Sequence, residues 1–230
     1  MDNTVTRLAA VSRTSGTTYP VAFAVDYPDR FDRVSTAFRL ILAMPVLILV
    51  GVLVGNLGAD QLTATYAVEP YFRVTVPDVL AVAGLLVLPP LLMIVFRRKY
   101  PRWWFDWNLQ LLRLHNRVMA FLLLLRGEYP STDEEQAVHL DMPYPDTLRL
   151  SRWLPLAKWL LAVPHCLVLA VLNLTAVLVT VVAWFAILVG GRYPRGLFDF
   201  VVGVLRWNNR VIAYAFILAT DAYPPFRLSP

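Results

Sequence analysis

Three long apolar stretches and two amphipathic ones lie along the chain. The first runs from Ala37 to Gly55 and holds one charge, Arg39, near its start. The second, Val79 to Phe96, is 18 residues without a charge and stops at Arg97-Arg98-Lys99. The third, Trp159 to Gly191, is 33 residues without a charge. A helix crosses a bilayer core with ~20 apolar residues, so the first two stretches predict spans over residues 37–56 and 79–96. The third is too long for one comfortable span, even a tilted one. It predicts two, over 153–172 and 174–190, joined by a tight turn at Asn173 or Thr175. That turn lacks the Gly or Pro that usually punctuates a chain.

The amphipathic stretches are Trp103–Leu125 and Gly196–Ala219. Arg113 and Arg117 lie in the middle of one, Arg206 and Arg210 in the middle of the other. Two arginines near a bilayer centre are costly, so these stretches predict helices lying in the plane of the membrane surface, over 102–126 and 195–219. Asp106, Gln110, Arg113 and Arg117 share one face at helical spacing, and Asp199, Gly203, Arg206 and Arg210 repeat the same offsets. Trp103, Trp104 and Trp107 suit the headgroup boundary.

Composition changes the picture by excluding a soluble enzyme. The 230 residues are 58% hydrophobic and 16% charged, against roughly 45–50% and 25% in soluble chains. The net charge of +5 would raise nucleic-acid binding in a soluble protein. Here the basic residues flank apolar segments, which points to anionic lipids and topology, with no nucleic-acid partner. Of the 21 Lys and Arg, only Arg73 lies in 57–78. The positive-inside rule then sets 57–78 outside as an outer loop and both termini in the cytoplasm. The β-branched and aromatic residues around Glu69-Pro70 predict a short hairpin in that loop. Residues 1–18 are polar, without the apolar core of a signal peptide, and read as a flexible cytoplasmic tail. The lone cysteine, Cys166, sits in an apolar run and reads as a small buried hydrophobe.

The chain also repeats itself. Tyr100-Pro-Arg-Trp-Trp-Phe-Asp matches Tyr193-Pro-Arg-Gly-Leu-Phe-Asp, and Arg113-Leu-His-Asn-Arg-Val matches Arg206-Trp-Asn-Asn-Arg-Val, both 93 positions apart. Arg39-Leu-Ile-Leu-Ala-Met-Pro matches Lys158-Trp-Leu-Leu-Ala-Val-Pro 119 apart, and Tyr27-Pro-Asp matches Tyr144-Pro-Asp 117 apart. The offset falls by 26 between the spans, the extent of an outer loop present in the first copy and nearly absent from the second. The predicted architecture is an all-α membrane protein of four transmembrane helices plus two cytoplasmic in-plane amphipathic helices, built as a parallel tandem repeat. Its units are 19–130 and 142–226, joined by a linker at 131–141. The Tyr-Pro-Arg-x-x-Phe-Asp signature followed by Arg-x-x-Asn-Arg-Val resembles the DUF4389 family of bacterial membrane proteins, in two tandem copies. The resemblance implies a multi-pass protein of the bacterial cytoplasmic (inner) membrane. It implies no activity, because none is assigned to the family.

Chemistry has few candidates. His165 follows Pro164 inside a span and is a possible intramembrane polar site. A haem held by two histidines would need a second membrane histidine, and a packed or hydrogen-bonded His is the default. Arg102, Asp106, Arg113 and Arg117, with Arg195, Asp199, Arg206 and Arg210, read as inter-repeat salt bridges or a groove for lipid headgroups. Side by side, the two helices would bring Asp106 to Arg206 or Arg210, and Asp199 to Arg113 or Arg117. Pro45, Pro164 and Pro89-Pro90 predict kinks. No phosphate loop, zinc motif, nucleophile elbow or CxxC is present, so the reading is non-catalytic, with no metal and no cofactor. The expected function is an accessory or scaffold protein of a larger membrane assembly, with lipid and other membrane proteins as partners. The alternative is a small transporter or lipid-handling protein with a site between the repeats. A haem or pigment protein comes third.

Overall fold

The computed structural model describes residues 19–28, 30–53, 65–67, 73–75, 87–132, 134, 136–146 and 150–230. The expected tail 1–18, the first residues of the expected second span and most of the expected outer loop lie outside them. Among the described residues the elements run β1 Ala22–Val25, α1 Arg33–Ala37, α2 Arg39–Leu53, β2 Thr65–Ala67, β3 Arg73–Thr75 and α3 Val87–Arg97. There follow α4 Arg102–Leu122, β4 Val138–Asp141, α5 Leu154–Gly190 and α6 Arg195–Ala215. The last turn of α3, Met93–Arg97, is π-helical.

The boundaries follow local chemistry. Asp32 caps α1 by accepting from the amides of Val34 and Ser35. Pro101 and Pro194, both extended, precede the first residues of α4 and α6, and proline disfavours helix in the residue before it. Four left-handed residues end the long helices: Arg98 after α3, Leu124 after α4, Gly191 after α5 and Leu218 after α6.

Two small antiparallel sheets form. β2 pairs with β3, so the hairpin expected within 57–78 is present. β1 pairs with β4 in the register Phe23↔Leu140 and Ala24↔His139. The alternation of strand side chains sends Phe23, Val138 and Leu140 into the core, where they join Phe105, Leu109 and Leu112 of α4 and Phe198, Val201 and Val204 of α6. The expected linker 131–141 therefore contains a core strand.

α5 departs from the expected pair of spans. It is one helix of 37 residues, ~55 Å long at ~1.5 Å per residue, with no turn at Asn173 or Thr175. The Thr175 hydroxyl donates to the carbonyl of Val171 within the helix, and the Asn173 side chain reaches across to α6. With no Gly or Pro there, nothing local opposes continuity. Among the described residues α5 is the one helix long and apolar enough to cross a membrane. α2 continues through Pro45, and α5 through Pro164.

α6 turns back at Gly191 and packs antiparallel along α5. Trp207 meets His165, and Asn208 meets Asn173. The α5 stripe toward the protein is Pro155, Lys158, Ala162, His165, Leu169, Ala176, Ala183 and Ile187, and its alanines allow close approach. The remaining surface, including Leu160, Leu167, Val171, Leu174 and Val189, is exposed. α6 itself is buried on most faces. Its apolar residues, expected to meet a headgroup boundary, meet protein instead, whereas Trp103 and Trp107 of α4 remain exposed.

Candidate functional site

The two amphipathic helices meet through a pair of amides. Asn116 Nδ2 donates to Asn209 Oδ1 at 2.8 Å, and Asn209 Nδ2 donates to Asn116 Oδ1 at 2.7 Å. Each second N–H goes to the carbonyl four residues back, Leu112 in α4 at 2.8 Å and Leu205 in α6 at 2.9 Å. Both residues are buried, and the reciprocal arrangement leaves no amide N–H unsatisfied.

The arginines around this pair hold main chain. Arg113 Nε donates to the Leu140 carbonyl at 3.1 Å, and Arg206 Nε to the Phe23 carbonyl at 3.0 Å. Those two carbonyls belong to residues directly opposed in the β1–β4 sheet. Arg117 donates to the Ser131 carbonyl. Arg206 also donates to Leu228, and Arg210 to Arg227 and Ser229, so the two fasten the C-terminal segment. Arg102 lies over the Tyr144 ring at 5.7 Å and Arg195 over the Tyr27 ring at 4.3 Å. The Tyr144 and Tyr27 hydroxyls donate to the carbonyls of Tyr100 and Tyr193.

The ion pairs expected between the helices do not form. Asp106 and Asp199 are exposed. Among the described residues the ion pairs are Arg126–Glu128, His139–Asp26 and Lys158–Asp221. The guanidinium groups are committed to carbonyls at the sheet and the C-terminal segment, which fix them more closely than a solvated carboxylate would. Burial pulls the Arg210 pKa down to about 10, with Arg206 and Arg227 adding repulsion and Tyr19 opposing. Burial lowers that of Arg206 too, against the pull of Asp199. Burial pushes the Tyr193 phenol up to about 12.

Two buried cations lie at the starts of the apolar helices. Arg39 donates to the carbonyls of Phe121 and Arg126 and lies over the Phe121 ring. Lys158 donates to the Thr220 carbonyl at 2.8 Å, pairs with Asp221 at 2.7 Å and lies over the Tyr214 ring. His165 is fully buried. Its Nδ1 accepts from Trp207 Nε1 at 3.1 Å, and its ring stacks on Phe226 at 4.0 Å. The indole is a donor only, so in the neutral ring Nδ1 is the acceptor and Nε2 carries the proton. This tautomer commits the one ring lone pair to Trp207, which makes His165 a packed residue in an aromatic box with no free lone pair for a ligand. No group of three or more metal-ligating side chains is present among the described residues.

A half-open cavity of about 200 Å³ lies where α4, α5 and α6 meet. Its polar lining is His115, Asn116, Asn173, Asn208 and Asn209, set among apolar side chains such as Met119, Ala176 and Val177. In the sequence these asparagines stand apart, Asn173 as a candidate turn residue and Asn116, Asn208 and Asn209 inside the repeated motifs. Their convergence depends on α6 folding back along an unbroken α5. The available signal was an Asn at matching places in Arg113-Leu-His-Asn-Arg-Val and Arg206-Trp-Asn-Asn-Arg-Val.

Fold and site together define a mostly helical protein with a long apolar helix and a polar junction beside it. The family described as Domain of unknown function (DUF4389) matches residues 153–227, which cover α5, α6 and most of the C-terminal segment, in one copy. No curated protein and no solved structure matches the chain.

Proposed function

We propose that the chain is a non-catalytic scaffold or accessory protein of a bacterial cytoplasmic membrane, built as two equivalent units around a pseudo-twofold axis. The observation that carries the membrane part is the exposed face of α5. A 37-residue helix buries a narrow stripe and leaves most of its large apolar side chains uncovered. Burial of apolar surface is worth ~25 cal/mol per Å², so such a face is stable only when lipid or another apolar protein surface covers it. The two-unit part is supported by the contacts that recur. Asn116 and Asn209 pair across 93 positions. Arg113 and Arg206 bind opposed strands, and Arg39 and Lys158 each bind a carbonyl just past the end of an amphipathic helix. The scaffold part follows from how the site's cations are used. They hold main chain, and a junction knit by side-chain to main-chain hydrogen bonds suits holding a shape.

The test is extraction of the full chain from membranes with alkaline carbonate, followed by gentle solubilisation and identification of co-purifying protein. The reading predicts retention in the membrane and a stoichiometric membrane-protein partner. A chain released by carbonate, or recovered alone from cross-linked membranes, would contradict it. A second reading, lipid handling, is favoured by one observation, the amide-lined cavity beside α5.

A further inference from the structure

We infer that the cavity at the α4–α5–α6 junction binds the polar end of a neutral amphiphile, a lipid with carbonyl or hydroxyl oxygens on an apolar chain. This deepens the lipid-handling reading and rests on α5 lying in a bilayer. Three features of the cavity specify the ligand class. No Lys, Arg, Asp or Glu lines it, so it neutralises no charge, and an ionised headgroup would be desolvated there without a partner. Its polar groups retain hydrogen-bonding capacity. Asn208 Nδ2 donates to Asn173 Oδ1 at 2.8 Å and to the Val204 carbonyl at 3.0 Å. Asn173 Nδ2 donates to Asn208 Oδ1 at 3.3 Å, which leaves Asn173 a second N–H. His115 also lines the cavity, and a neutral imidazole there offers one N–H and one lone pair. Donors and acceptors placed in this way fit an ester, a ketone or an alcohol.

The third feature is access. Asn173 and Val177 are exposed on α5, Val177 by 52%, and they place the mouth of the cavity on the same helix as its uncovered apolar face. A volume of about 200 Å³ is far above the ~10–15 Å³ that one water needs. It is below the ~300–1,000 Å³ that encloses a drug-sized ligand. It therefore takes the oxygen-bearing end and the first carbons of the ligand, while the chain lies outside along Leu174 and Val177.

The source of the oxygens is either a free neutral lipid or the glycerol esters of a bilayer phospholipid. The full chain, reconstituted in phosphatidylglycerol-containing nanodiscs, would be illuminated with a diazirine-bearing diacylglycerol or a diazirine-bearing phosphatidylglycerol, and the labelled peptides mapped. The expected result is labelling around Met119–Leu123 and Ala176–Val177, reduced at least five-fold by Val177→Trp and at least two-fold by Asn173→Ala. Labelling by the diacylglycerol probe alone assigns a free neutral lipid, and by both probes a glycerol ester. Both substitutions are at exposed positions, and unchanged circular dichroism would establish that the variants fold. Labelling along the exposed α5 face that neither substitution alters would overturn the site and leave the membrane reading standing. No labelling of α5 by either probe would overturn both.

Discussion

Asn116 and Asn209 carry more of the architecture than their size suggests. Each amide satisfies the other, and both side chains are buried at the wall of the cavity. Truncating one partner strands the other, and an unsatisfied buried polar group costs ~1–3 kcal/mol. Asn116→Ala should therefore lower stability by about 1–3 kcal/mol in a reversible unfolding assay in detergent, and Asn209→Ala by a similar amount. The double variant should cost less than the sum, because the second truncation removes an already stranded group. Strict additivity would show that the two amides are not coupled. At the same scale the sequence was only half legible. The recurring arginines are visible in it and read there as inter-repeat salt bridges or a groove for lipid headgroups. In the fold Arg113, Arg117, Arg206 and Arg210 donate to carbonyls, and a carbonyl acceptor leaves no mark in a side-chain sequence. His165 was legible as packed, because its run holds no second ligand, but its tie to Trp207 required the fold.

Among the elements, the starts of α4 and α6 were readable from the Tyr-Pro-Arg motif, since proline marks the boundary and the apolar period begins after it. The ends were overrun. The helices stop at Leu122 and Ala215, while the apolar residues continue through Leu123–Leu125 and Ile217–Ala219 in turns whose Leu124 and Leu218 adopt positive φ. Periodicity has no term for a left-handed leucine. Bilayer thickness argues against the 33 uncharged residues 159–191 as one span, and on that ground the sequence predicts two. Helix propagation is indifferent to bilayer thickness, and the chain has no Gly or Pro near Asn173 and Thr175 to break it. The close approach at Gly203 belongs to this scale as well. A Cβ there would come within 2.9 Å of Leu228 Cβ and 3.1 Å of its carbonyl oxygen, and that oxygen accepts from Arg206. Replacing a mid-helix glycine by alanine ordinarily stabilises by ~1 kcal/mol. Here Gly203→Ala should do the reverse and detach the C-terminal segment, read as faster hydrogen exchange over residues 220–230 and a lower Tm. A higher Tm with unchanged exchange would show that Leu228 does not pack there.

At the level of the whole molecule, two kinds of surface meet. One side is a polar junction in which amides pair with each other and arginines and tyrosines bind the main chain. The other is the uncovered apolar length of α5. The overall composition pointed to a membrane, and the fold concentrates that signal on one helix. Cys166, the single cysteine of the chain, is exposed on α5 and reports on that surface without any substitution. The most direct measurement is a nitroxide attached at Cys166 in the reconstituted protein, with its collision rates compared for molecular oxygen, which partitions into lipid, and a water-soluble nickel chelate. The account predicts strong relaxation by oxygen and little by the chelate. A label relaxed more by the chelate than by oxygen would mean that this face of α5 meets water, which contradicts the account.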